Sequence, residues 1–276
     1  MAARLVAAGF SVCGCDPRAD RPPAGVEPKA TPATVAEACE LVVTSLPGPA
    51  EVERVFLASD GVLAGAHADL AAVVDTSTSS PALARRLATQ ARTRGVLALD
   101  CPVSGGPVRA GDGTLAMMVG GDPEAFAQAQ PVLERMATLV AHVGPAGAGQ
   151  VVKLANNLMT ACNMAGLAES LALARSAGID PAVLFDVFTH SSGDSSVLRR
   201  RFPIAGVVAE APANAGFAPL FSLALMRKDV RLALEAAAEE RLELSLASAV
   251  LAVYDQAAGC GWDDLDYSAV ARLFAL

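Results

Sequence analysis

Residues Gly144–Asn157 read GPAGAGQVVKLANN. Three glycines and a proline loosen the backbone, and a long apolar segment follows. Lys153, Asn156 and Asn157 stand at i, i+3 and i+4, so a helix sets them side by side on one face. Downstream, Leu154, Ala155, Leu158, Met159, Ala161, Cys162, Met164, Ala165, Leu167 and Ala168 leave almost no solvated face. A helix this apolar belongs inside a protein or between subunits. A lysine in it is costly unless it is paired or has chemistry to perform. The competing reading is a packed stem with its ammonium in water.

The glycine-rich step separates two patterns. Before it, Ser11–Asp16, Leu41–Ser45, Ala71–Asp75, Val96–Asp100, Thr114–Val119 and Leu139–Val143 read as strands, and Thr34–Glu40, Pro49–Phe56, Pro81–Arg94 and Pro123–Met136 as helices. Alternating elements with near-continuous apolar strands imply a parallel sheet covered on both sides. Residues 1–147 are therefore expected to form an α/β domain of the Rossmann type. After Gly149 the strands stop. Gln150–Ser176, Pro181–His190, Ser195–Arg201, Ser222–Arg241, Ser245–Ala258 and about 268–276 look helical, with Ser222 and Ser245 as N-caps. Pro203–Pro219 reads as a loop, and residues 148–276 as an all-α domain.

Parallel sheets bind ligands beyond the carboxyl ends of their strands. Four loops are expected on that rim: Asp16; Ser45–Leu46–Pro47; Asp75–Thr76–Ser77–Thr78; and Cys101–Gly113, CPVSGGPVRAGDG. Any one of them is ordinary turn chemistry; four on one rim indicate a site.

Composition narrows the function. Hydrophobic residues make up 53% of the 276 and charged residues 18%, enough for a large core. The net charge of −8 argues against a general nucleic-acid binder. The six cysteines are scattered and the three histidines lie far apart, so no metal spacing is present. Scattered thiols and the absence of a leader or a bilayer-length run lead us to expect a cytoplasmic protein without membrane partners. The over-apolar helical half implies at least a dimer, a homodimer or a homotetramer.

With these residues in view, the sequence resembles the β-hydroxyacid dehydrogenase family, which includes 3-hydroxyisobutyrate dehydrogenase and is akin to 6-phosphogluconate dehydrogenase. The resemblance covers nearly the whole chain. DCPVSGGPVRAGDGTL (100–115) is similar to the family's substrate-binding signature, and GAGQVVKLANN (147–157) to the segment bearing its catalytic lysine. RKDVRLALEAA and GCGWDDLDYSAV resemble its later markers. The resemblance implies hydride transfer between NAD and a small 3-hydroxy acid or its semialdehyde.

Residue by residue, it implies that Lys153 is the general acid/base, and that Ser104, Gly105 and Gly106 hold the substrate carboxylate. Glycine without a Cβ lets the backbone approach a ligand there. Asn157 is implied to bond the substrate and orient the lysine; Asn156 is expected to satisfy backbone groups at the domain junction. An apolar wall and a second cation, Lys228 held by Asp229, would both favour the neutral amine of Lys153. Leu46, Pro47, Thr78 and Lys228 are implied to line the cofactor. Asp16 stands where a carboxylate would bond the ribose hydroxyls and repel a 2′-phosphate, favouring NAD. Arg18 and Arg21 argue the other way and keep NADP open.

One departure stands out. Family members have a strand and a G-x-G-x-x-G turn before the segment matching MAARLVAAGF, so the Rossmann-type domain is expected to lack its first strand here. That strand is central, and its loss would leave two neighbours with open edges and weaken nicotinamide binding. Two rival readings follow. One is a non-catalytic truncated paralogue serving as a dimerisation module. The other is an imine reductase-like enzyme, against which Lys153 counts. Cys13, Cys15 and Cys101 are expected to pack, His190 to be solvated or face the site, and Trp262 and Tyr267 to anchor the C-terminal helices.

Overall fold

The structure, a computed structural model, describes residues 1–18 and 22–276; Arg21 lies outside the described residues. The chain divides into two compact units, Met1–Lys153 and Leu154–Leu276. In the first, helix α1 (Ala2–Ala7) is followed by β1 (Val12–Gly14), β2 (Val26–Pro28), α2 (Pro32–Ala36), β3 (Leu41–Thr44) and α3 (Pro49–Leu57). Then come β4 (Ala72–Asp75), α4 (Pro81–Arg92), β5 (Leu97–Asp100), β6 (Val103–Ser104), α5 (Gly106–Asp112), β7 (Leu115–Gly120), α6 (Pro123–Leu133) and β8 (Ala137–Gly144).

Local chemistry sets the helix starts. Helices α2, α3, α4 and α6 each open on a proline, whose missing N–H would be unpaired there anyway. Thr31, Ser80 and Asp122 add caps by accepting from the N–H groups of Thr34, Leu83 and Glu124. Strand β4 is buried along its whole length, and its successive residues enter opposite cores. Val73 packs with Val42, Leu87 and Val96, while Val74 packs with Leu99, Met117 and Leu133.

Strands β3, β4 and β5 are parallel, with Thr44, Asp75 and Asp100 level at their carboxyl ends. Beyond β5 the direction changes: β7 runs antiparallel to β5 and β6, and parallel to β8. Strands β1 and β2 form a separate two-stranded parallel sheet, and among the described residues no ladder joins β1 to β3. Three of the four rim loops therefore share one sheet, and the Asp16 loop belongs to the smaller one.

Two other readings are corrected. Cys101–Gly113 is not a plain loop: it forms β6 and α5, turned by Gly105 and Gly106 at φ 137° and 68°. A Cβ on Gly105 would lie 2.8 Å from Arg109 Cβ, so the bend requires glycine in space as well as in conformation. Ser245 is the first residue of its helix, and Leu244 occupies the cap position.

Helix α7 (Ala148–Ser176) runs on from the first unit into the second. The second unit continues with α8 (Pro181–Thr189), α9 (Ser196–Arg201), α10 (Leu223–Glu239), α11 (Ser245–Gly259) and a terminal 3-10 helix (Tyr267–Phe274). Ser222 caps α10 by accepting from Leu225 N–H at 3.3 Å. Met164, Leu171, Phe202, Met226, Tyr254 and Val270 belong to its core. Among the described residues, no helix is long and apolar enough to cross a membrane. The architecture is a Rossmann-like sheet domain followed by a helical domain.

Candidate active site

The rim of β3, β4 and β5 is bound together by short polar side chains. Asp75 Oδ1 accepts from Thr44 Oγ1 at 2.8 Å and from Ser77 Oγ at 2.6 Å. Ser77 Oγ in turn accepts from Leu46 N–H at 2.8 Å. The two loops expected to line a cofactor, at Leu46–Pro47 and Thr78, are thus held to each other. Leu46 and Thr78 are half-buried, and Pro47 is exposed.

Helix α7 starts against the same rim. Asp100, at the end of β5, accepts from Gly147 N–H at 2.7 Å through Oδ1 and from Gln150 N–H at 2.9 Å through Oδ2. A carboxylate at a helix N-terminus satisfies orphan donors and complements the helix dipole. Backbone meets backbone here: a Cβ on Gly149 would lie 2.3 Å from Met118 O. The glycines of this step admit the helix into contact with β7, beyond merely loosening the chain. One turn on, Lys153 is buried, 7% exposed.

Burial pushes the Asp100 carboxyl from 3.8 up to about 6; the charge of Asp75 adds to the rise, and the two amide hydrogen bonds oppose it. A raised folded-state value means that the folded protein holds this proton more tightly than the unfolded chain. The group's contribution to stability is thus best below 3.8 and falls as pH rises to about 6. The full change is on the order of 3 kcal/mol. Asp100→Asn, which cannot titrate, is expected to remove this slope. Urea denaturation of both proteins across that pH window checks it, and identical slopes would clear Asp100 of the effect.

The remaining expected site residues fall as follows. Ser104 ends β6, half-buried, and Gly105 and Gly106 are exposed on their bend. Asp16 is exposed just beyond β1, and its Oδ1 accepts from Arg18 N–H at 2.9 Å. In the second unit, Asn157 is 5% exposed. Its Nδ2 donates to Asp229 Oδ2 at 2.6 Å, and its Oδ1 accepts from Asn156 Nδ2 at 3.0 Å. Asn156 thus serves Asn157, where backbone groups were expected. Lys228 Nζ lies 3.2 Å from Asp229 Oδ1, so Asp229 contacts both residues.

The sequence reading does not single out Asp100 and Gln150, which fix the helix start to the rim. The available signal was their place: Asp100 opens the DCPVSGG segment, and Gln150 is a polar residue in the first turn of an apolar helix. A groove of about 830 Å³ lined by Arg85, Arg92, Asp122 and His142 includes none of the expected site residues. Among the described residues, no cluster of three or more histidines, cysteines or acids is placed to hold a metal.

Comparison with known proteins decides the family. Residues 1–144 match the model described as the NAD binding domain of 6-phosphogluconate dehydrogenase. Residues 147–274 match the NAD-binding model of NADP-dependent 3-hydroxyisobutyrate dehydrogenase. The chain belongs to the β-hydroxyacid dehydrogenase family. A Pseudomonas aeruginosa 3-hydroxyisobutyrate dehydrogenase is 41% identical over 241 residues, 86% of this chain and 80% of that one. An NAD-dependent L-serine dehydrogenase of the same organism is 39% identical over 238 residues, again 86% and 80%. The solved Mycobacterium tuberculosis 3-hydroxyisobutyrate dehydrogenase with L-serine superposes with a TM-score of 0.89 at 37% identity, covering 100% of this chain and 94% of that one.

As a member of this family, the chain is a nicotinamide-dependent hydroxyacid dehydrogenase, with NAD as its cofactor class and NADP as the alternative. A Myxococcus stipitatus imine reductase shares the fold, with a TM-score of 0.61 at 19% identity, covering 99% of this chain and 94% of that one. That likeness concerns fold alone.

The bland readings of other residues fit their surroundings. Cys101 is buried, which pushes its thiol up and out of nucleophilic use. His190 is exposed and bonds the carbonyl of Asp186 in the last turn of α8, which it caps. Trp262 stacks under Arg272 at 4.4 Å, and Tyr267 packs edge-on to Phe221.

Proposed function

We propose that the chain oxidises the hydroxyl carbon of a small 3-hydroxy acid, or reduces the matching semialdehyde, with Lys153 as general acid/base. The observation that carries this reading is a lysine buried on a helix whose first turn is fixed to the rim of the nucleotide-type sheet. The residues implied to line the cofactor suit a nicotinamide dinucleotide. Asp16 offers an exposed carboxylate to ribose hydroxyls, Leu46–Pro47 an apolar shelf, and Thr78 a partly open hydroxyl. NAD, when bound, supplies the hydride acceptor in oxidation and, reduced, the donor in the reverse reaction.

The chain's own residues handle the proton and the carboxylate. In oxidation, neutral Lys153 Nζ takes the proton of the substrate hydroxyl; in reduction, its ammonium returns a proton to the carbonyl oxygen. Ser104 Oγ and the backbone N–H groups of Gly105 and Gly106 hold the carboxylate. Asn157 bonds the substrate. An amide carries two donors and two acceptor sites, so after Asp229 and Asn156 are served it keeps one of each. Lys228, paired with Asp229, supplies the cation toward the nicotinamide.

The test is a panel of hydroxy acids assayed with NAD and NADP by the absorbance of reduced nicotinamide. 3-Hydroxyisobutyrate and L-serine are expected to turn over. Lactate, whose hydroxyl sits one carbon nearer the carboxylate, is expected to fall about 10²-fold lower in kcat/KM because an anchored acid group misplaces it. Equal turnover of 2- and 3-hydroxy acids would overturn the proposed substrate class.

A further inference from the structure

The side chain of Gln150 spans two segments that the reaction needs in register. Gln150 is fully buried, 0% exposed. Its Oε1 accepts from Ser79 N–H at 2.9 Å, and its Nε2 donates to Ser77 C=O, also at 2.9 Å. These partners flank Thr78, the expected cofactor-lining residue. A backbone N–H only donates and a carbonyl only accepts, so the orientation of the amide is fixed and both its ends are committed. The N–H of the same residue donates to Asp100. Gln150 thus ties the loop after β4 to the helix start, and Ser77 extends the tie to Leu46 and Asp75. Lys153 follows three residues later, about one helical turn or 5 Å along the axis.

We propose that Gln150 is a positioning residue for the dehydrogenase reaction: its amide sets the Ser77–Ser79 loop, which carries the proposed cofactor-lining Thr78, relative to Lys153, so that hydride and proton transfer are aligned at one carbon. The proposal rests on the reading of Lys153 as the proton-transfer group. Ionised glutamate accepts from Ser79 but sets a carboxylate against Ser77 C=O. Asparagine is one methylene too short to reach both partners. Methionine fills the volume and leaves both backbone groups unpaired.

The experiment compares Gln150→Met and Gln150→Glu with the unaltered chain. In the protein without added nucleotide, amide hydrogen exchange is expected to speed up at Ser79 in Gln150→Met, and far less in Gln150→Glu, which keeps that acceptor. With a hydroxy acid and NAD, kcat is expected to fall about 10²-fold, the cost of a misplacement near 1 Å. The KM for the hydroxy acid is expected to stay within about threefold, because the Ser104–Gly106 bend is untouched. Deuterium at the reacting carbon is expected to slow kcat more in the variants than in the unaltered chain, as misaligned hydride transfer becomes the slow step. A purely structural role would lower the melting temperature and the active fraction while leaving the isotope effect of the folded fraction unchanged; that result overturns the proposal. Unchanged kcat, or unchanged exchange at Ser79 in Gln150→Met, overturns it as well. If the unaltered chain is inert across the panel, or Lys153→Ala stays active, the underlying reading itself has failed. An active chain with a dead Lys153→Ala and fully active Gln150 variants removes the Gln150 proposal alone.

Discussion

Lys153→Ala is expected to lower kcat by about 10³-fold or more while leaving the fold intact. A positioned general acid/base contributes roughly 10² to 10⁴ in rate. Loss of a buried amine removes that contribution together with any orientation it gives the hydroxyl. Stability is expected to hold, because alanine is the best helix former. Lys153→Arg makes the sharper comparison. It keeps the positive charge and much of the volume, but guanidinium does not release its proton in the working range. If Lys153 acts by proton transfer, the arginine variant is as dead in oxidation as the alanine variant. If it acts only as a fixed charge, the arginine variant keeps much of its turnover. A small primary amine added to Lys153→Ala is expected to restore part of the rate by supplying the missing base. Steady-state rates of the two variants, with circular dichroism as a control for folding, decide the matter; an arginine variant within tenfold of the unaltered chain would end the proton-transfer role.

The legibility of that lysine has a physical reason. A charge in the first turns of a largely apolar helix breaks a strong local period, and local periods are what a sequence displays directly. Strands β3 and β4 were legible for the same reason, as short apolar runs closed by Thr44 and Asp75. The Ser104–Gly106 bend was marked by its glycines. Helix α5 was not legible, since GPVRAGD holds a proline and two glycines, all poor helix formers, and the helix spans only 7 residues. Strand β2 is 3 residues long and ends in proline, too short for any alternation to register. Asp100 and Gln150 escaped because their partners are remote: the bonds that define them cross separations of 47 to 73 residues. A polar side chain bonded to distant backbone leaves no pattern of spacing in its own neighbourhood. The site was therefore legible where its chemistry breaks a local rule, and hidden where tertiary hydrogen bonds support it.

Asp266 gives the second large expectation, on stability. GCGWDDLDYSAV contains three aspartates, and nothing in their spacing singles out Asp266. Folding buries it completely, 0% exposed. Its Oδ2 accepts from Arg201 Nη1 and, at 3.2 Å each, from the N–H groups of Leu220 and Phe221. Its Oδ1 accepts from Ser268 Oγ at 2.7 Å and from Ser268 N–H at 3.2 Å. One carboxylate thus joins the end of α9, the approach to α10 and the start of the terminal 3-10 helix.

Asp266→Ala leaves the Arg201 guanidinium, 17% exposed, without its carboxylate and strips three backbone donors of their acceptor. Removing one partner of a buried pair costs about 3–5 kcal/mol, a large share of the roughly 5–15 kcal/mol that holds a domain together. The expected fall in melting temperature is about 10 °C or more. Removing the charge from both sides costs less than removing it from one, since the dominant penalty is the charge left alone. Arg201→Met combined with Asp266→Ala is therefore expected to be more stable than Asp266→Ala by itself, even though it also gives up the contact of Arg201 with the Tyr267 ring at 5.1 Å. Urea denaturation of the two single variants and the double variant measures the coupling. A single-variant cost below about 1 kcal/mol, or strictly additive costs, would show that the three segments are held by their apolar packing and that the carboxylate merely fills its place among them.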